Sequence, residues 1–141
     1  MNTACAVGFG SVVKIVPGFA LLRKAMMNMP GSILFSEAVA VNTLAGATGS
    51  ATGGMSIALE ALGPQYLEKA TEMGMSPEYL HRIASIASGG LDTLPHNGAV
   101  LTLLAVSNCK HKESYIDICV TSCIIPVVVS LLLSLVWGLF I

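Results

Sequence analysis

Two short runs concentrate the polar chemistry of an otherwise apolar chain. The first reads Gly49-Ser50-Ala51-Thr52-Gly53-Gly54, the second Gly89-Gly90-Leu91-Asp92-Thr93-Leu94-Pro95-His96-Asn97-Gly98. Their hydroxyls can donate to a carboxylate or accept from an alcohol. Their glycines let backbone come close to a bound solute. Where a helix restarts after such a run, its free N–H groups and partial positive charge favour an anion. The first restart is expected around residues 54–56, so that N–H donors point at Ser50 and Thr52, with Gly49 and Gly53 allowing close approach. The second is expected at Asn97 and Gly98, a further donor cluster, with Thr93 contributing a hydroxyl nearby. Unwound carbonyls around Gly89 and Gly90 suit a cation or a donating hydroxyl.

Asp92 is the one acid inside these runs. An acid at membrane depth is a functional candidate by default, here as a proton carrier. The structural alternative is a turn cap that accepts from Thr93. His96 is the second proton-coupling candidate, because its residue type changes charge near neutral pH. It could equally bind a solute hydroxyl or brace the loop after Pro95. Glu37 is expected to be interfacial or paired, and Asn42 to bond between helices. A triad of Ser88, Asp92 and His96 would make an intramembrane hydrolase, but no Gly-x-Ser-x-Gly elbow surrounds Ser88 and all three share one short loop. That reading is remote, and no enzyme is expected. Cys5, Cys109, Cys119 and Cys123 lack metal-type spacing, and Cys119 and Cys123 read as packed free thiols one turn apart. No metal and no cofactor are expected beyond a coupling proton.

The elements that must hold these runs are apolar. Of 141 residues, 54% are hydrophobic and 11% charged, with a mean hydropathy of +0.77. Soluble domains carry about 25% charged residues, so lipid is the simpler solvent for this chain. A net charge of −1 gives no basic face for nucleic acid. Residues 116–140 carry Asp117 as their only charge, and a span needs about 20 mainly apolar residues. Pro126 is tolerable there if Thr121 and Ser122 serve the freed backbone groups. Trp137 suits the far interface.

Residues 33–48 form an apolar helix rich in small residues, about 24 Å long at 1.5 Å per residue, short of a full crossing. The first polar run breaks it, and residues 55–62 resume it. Together residues 33–62 read as a re-entrant hairpin, because irregular backbone survives in lipid only when buried in protein or lining a cavity. Residues 79–107 read as one crossing unwound in its middle by the second run. Two interrupted apolar segments are the sequence mark of a transporter binding site. Residues 63–78 carry Glu68, Glu72 and Glu78 against Lys69, and residues 108–115 carry Lys110, His111 and Lys112 against Glu113. The positive-inside rule makes the first loop external and the second cytoplasmic. Residues 1–32 are an N-terminal arm, with 14–27 lying at the interface, and Met1–Phe9 lacks the basic start of a signal peptide.

At both breaks the sequence resembles the gluconate:proton symporter (GntP-type) permeases of the ion-transporter superfamily. The matching stretches are Gly8-Phe9-Gly10-Ser11-Val12-Val13, Ala40-Val41-Asn42-Thr43-Leu44-Ala45-Gly46 and the whole first run. They continue with Ile57-Ala58-Leu59-Glu60-Ala61-Leu62-Gly63-Pro64, Leu80-His81-Arg82-Ile83-Ala84-Ser85, the stretch ASGGLDTLPHNGAV from Ala87 to Val100, and His111-Lys112-Glu113-Ser114-Tyr115.

The resemblance implies an all-α integral membrane fold: a re-entrant helical hairpin, a discontinuous transmembrane helix and a closing transmembrane helix. These would form one partial repeat, the C-terminal portion of a longer inverted-repeat transporter. It implies that the tips cradle gluconate or a related small hydroxy-carboxylate, with proton coupling, and that family roles fall on Ser50, Thr52, Asp92, His96 and Asn97. It further implies a multi-pass protein of the inner (cytoplasmic) membrane, whose partners are the lipid bilayer and the missing N-terminal half; the sequence leaves a homo-oligomer open. Related permeases move other sugar acids, hydroxybutyrate-like acids or D-serine. The alternative is a truncated or split-permease fragment that does not transport alone.

Overall fold

The computed structural model describes residue 12 and residues 15–29 and 31–140. Cys5, Lys14, the Met1–Phe9 reading and most of the 8–13 match lie outside these. Among the described residues every regular element is a helix: α1 (Pro17–Met27), α2 (Ile33–Thr48), α3 (Ala51–Glu72), α4 (Pro77–Ser88), α5 (Gly98–Ser107) and α6 (His111–Phe140).

α2 is the hub, packed by α1, α3, α4 and α6. Ser32 caps its start, accepting from the Leu34 N–H, and Gly49 ends it with φ +60°. A side chain at that φ is strained, so glycine is the natural stop. α2 and α3 run antiparallel: Ala45 lies against Gly54 near the turn, and Ser36 meets Tyr66 at the far end. A Cβ on Gly54 would land on the Ala45 backbone. Lipid is as apolar as leucine, so helices associate there by close approach of small residues rather than by burial alone. The buried Ala38, Ala40, Ala45, Ala58, Ala84 and Ala87 fit that physics.

Three boundaries differ from the sequence reading. α3 begins at Ala51, not at 54–56, because the Ser50 hydroxyl accepts from the Gly53 N–H and caps the helix earlier. α3 then continues through Pro64 to Glu72, so most of the expected 63–78 loop is helical. Leu62, Tyr66 and Ala70, one turn apart, are buried on one face and hold the helix past its proline. The closing helix begins at His111 rather than at 116, with the His111 and Tyr115 rings stacked at 4.9 Å one turn apart.

Within α6, Val120–Ile124 forms a π-helical turn just before Pro126. A π-turn accommodates the missing proline N–H by changing register. The Thr121 hydroxyl donates to the Asp117 carbonyl at 2.7 Å, one turn back, instead of serving the proline.

α6 is built inside out by the standard of a soluble core helix. Its buried residues are Cys123, Ser130 and Ser134, whereas Ile116, Val120, Ile124, Val128, Leu132 and Leu139 are exposed. Only 17% of its most apolar 18-residue window is buried, and it is long and apolar enough to cross a membrane. Water would not tolerate that arrangement; lipid favours it. The chain is an all-α membrane protein.

Candidate functional site

The two polar runs meet. Gly49 closes α2, and a Cβ placed on it would come 2.9 Å from the His96 ring. The Asn97 amide donates to the Gly49 carbonyl at 2.7 Å and to the Asp92 carbonyl at 2.5 Å. Its oxygen accepts from the Ala99 and Val100 N–H groups at 2.6 and 3.2 Å. One side chain therefore caps α5, shapes its own loop and ties that loop to the hairpin tip. At 7% exposure, its polar atoms are spent on this bracing. Above it, Gly46 of α2 lies against Leu91 and Leu94, which seal the contact.

Asp92 completes the junction. The backbone N–H groups of Ala51 and of Asp92 itself face its carboxyl. Ala51 is the first residue of α3. A carboxyl on this chain thus sits at the helix N-terminus where the sequence led us to expect a solute anion. Next to it the Ser50 and Thr52 hydroxyls lie 3.4 Å apart. Thr52, His96 and Gly98 are exposed, and Ser50, Gly53 and Asp92 are half-buried.

Thr93 points elsewhere. Its hydroxyl lies 3.1 Å from the Cys123 sulfur, and its carbonyl accepts from the Tyr115 hydroxyl at 3.4 Å. Tyr115, Cys119 and Cys123 recur every fourth residue, so one stripe of α6 grips the second run. The sequence reading saw Cys119 and Cys123 as packed thiols but did not connect them to Thr93; the four-residue spacing was the available signal.

Asn42 makes the expected inter-helix bond, donating to Ser130 of α6 at 3.2 Å and to the Ala38 carbonyl at 2.9 Å. Its buried oxygen has no hydrogen-bond partner among the described residues. A Cβ on Gly90 would land on that oxygen, so the glycine Cα–H packs against it as a weak donor. Ser88, the imagined nucleophile, donates to Ser85 of its own helix at 2.8 Å. No cluster of three metal-ligating side chains occurs among the described residues. Arg82 and Glu78 pair on an exposed helix face, and Lys110 and Glu113 pair at 3.8 Å, also exposed.

Glu37 corrects its expectation. It is neither interfacial nor ion-paired among the described residues: it is 1% exposed, and its Oε2 has no hydrogen-bond partner there.

Over 118 residues the chain is 49% identical to a Bacillus subtilis (strain 168) protein named "Uncharacterized transporter YxjC". The match covers 84% of this chain and 25% of that protein, so the chain spans about a quarter of the length of the curated relative it matches. No family model and no solved structure matches.

Proposed function

We propose that this chain forms part of a secondary transporter that carries gluconate or a related small hydroxy-carboxylate across the cytoplasmic membrane, coupled to protons. The observation that carries the proposal is the junction of the two breaks, with the Asp92 carboxyl at the α3 N-terminus. The relative's name supports transport, and the resemblance to gluconate:proton permeases supports the solute class and the proton.

The geometry suggests how the two are coupled. While ionised, Asp92 occupies the Ala51 N–H. Protonation removes its charge, weakens that bond and frees the helix terminus for the solute carboxylate. The Ser50, Thr52 and His96 side chains border the same place and can bond to solute hydroxyls. Gly49, Gly53 and Gly98 keep the rim low. Asn97 acts by bracing, since its own atoms are engaged, and Thr93 anchors the loop to α6. Solute and proton then arrive together, because each favours the state the other needs.

Since the matched region is a quarter of the relative, the rest of such a transporter would supply the facing wall of the cradle, and this chain alone would not catalyse uptake. The deciding experiment is a panel of radiolabelled sugar acids and hydroxy-acids offered to the whole transporter in vesicles with an imposed pH gradient. Gradient-dependent accumulation of one of them is expected. No accumulation of any, with or without a gradient, would remove the proposal.

A further inference from the structure

The end of the hairpin away from the breaks holds a second polar feature. Glu37 lies one turn inside α2, about 18 Å from Gly49 at 1.5 Å per residue. It is 1% exposed, and its Oε2 has no hydrogen-bond partner among the described residues. Leu34 and Val41, one turn to either side of it on α2, are buried apolar residues. The Tyr66 phenol interacts with it electrostatically. Tyr66 in turn lies 3.1 Å from the Ser36 hydroxyl, which donates to the Met26 carbonyl at 2.5 Å.

That hydroxyl pair forms the wall of a cavity of about 190 Å³, bounded also by Met29, Ser32, Lys69 and Met73. The cavity is large enough for several waters. Glu37 does not line this cavity; its chain neighbour Ser36 and the Tyr66 phenol, which interacts with it, stand between the two. Among the described side chains no cation forms an ion pair with it. Lys24 of α1 is exposed, Glu78, His81 and Arg82 of α4 are exposed, and α6 buries only Cys123, Ser130 and Ser134. On α3, Glu60, Glu68, Lys69 and Glu72 are exposed and Lys69 stands at the cavity rim. A buried charge without a partner is unstable, whereas a neutral acid needs one acceptor.

We propose that the Glu37 carboxyl is a proton-binding site of this chain, reached from the cavity at the hairpin base past the Ser36–Tyr66 pair. The proton comes from water in the cavity and goes to a Glu37 oxygen; release reverses the same path. Its use in coupling rests on the transport reading above, but its existence does not.

Infrared spectroscopy of the purified chain in lipid vesicles tests it without any solute. At neutral pH a carboxylic-acid C=O band is expected in the wild type and absent from both Glu37→Gln and Glu37→Met. Two variants are used so that misfolding of one leaves a comparison. In D2O the band should shift, and more slowly in Tyr66→Phe or Ser36→Ala. A spectrum in which the wild type and a folded Glu37 variant coincide overturns the site, and exchange unaffected by both wall variants overturns the route. The band with no solute uptake by the whole transporter would remove the transport reading alone; uptake without the band would remove this inference alone.

Discussion

The Asn97 side chain, capping α5, donates to the carbonyl of Gly49 at the end of α2, 48 residues earlier in the chain. This bond fastens one break to the other. Removing the side chain leaves two half-buried carbonyls, of Gly49 and Asp92, and two helix N–H groups without that partner, at about 1–3 kcal/mol for each buried orphan. Asn97→Ala is therefore expected to lower the melting midpoint in detergent and to reduce uptake by about tenfold or more, the equivalent of about 1.4 kcal/mol. Lys112→Ala, on an exposed residue, should stay close to the wild type in both measurements. Equal uptake by the two variants would count against the site's placement.

Asp92→Asn separates charge from shape. The amide keeps an oxygen for the Ala51 N–H but cannot exchange a proton near neutral pH. Uptake driven by a pH gradient should fall about tenfold or more, while what remains loses its dependence on the gradient. A variant that still follows the gradient as the wild type does would remove Asp92 as the coupling acid.

Gly54→Ala probes the hairpin. The added methyl would meet the Ala45 backbone, which cannot swing aside as a side chain does. Overpacking of this kind costs about 1–3 kcal/mol. Gly98→Ala is the counterpart, since nothing lies within 4 Å of its Cβ position. There the helix start should gain up to about 0.5–1 kcal/mol. Thermal unfolding in detergent is expected to move in opposite directions for the two.

Gly90→Ala and Asn42→Ala form a coupled pair. The methyl at position 90 would strike the Asn42 oxygen, and shortening Asn42 makes room for it. The double variant is expected to be more stable than the sum of the single changes predicts, by about 0.5 kcal/mol or more. Strict additivity would mean that the two residues are not in contact.

Single cysteines at Ser50 and His96, on a background without native cysteine, test depth. A membrane-impermeant thiol reagent should label Lys112→Cys quickly and the Ser50→Cys and His96→Cys variants slowly. Rapid labelling of both would place the breaks in aqueous loops and end the transport reading.

The helices and their interruptions were legible in the sequence because their signals are local. Apolar runs of known length mark α2, α5 and α6, and Gly49 with the stretch from Gly89 to Pro95 breaks the chain wherever it folds. Helix ends were less legible: α3 outruns Pro64 because Tyr66 finds Ser36 across the hairpin and Ala70 is buried one turn on, a gain no window of α3 can display. The candidate site divides the same way. The types of residue at the breaks announced an anion cradle, but their use was decided by contacts between distant segments. Asn97 turned inward to Gly49, the Asp92 carboxyl met the Ala51 N–H, Thr93 was taken by α6, and Glu37 was closed into the core. A hydrogen bond or a close approach across tens of residues leaves no trace in either local stretch, since each alone would be equally content facing water. Composition and punctuation set what this chain could build and in which solvent; only the packing of α2 against its neighbours determined which polar groups met.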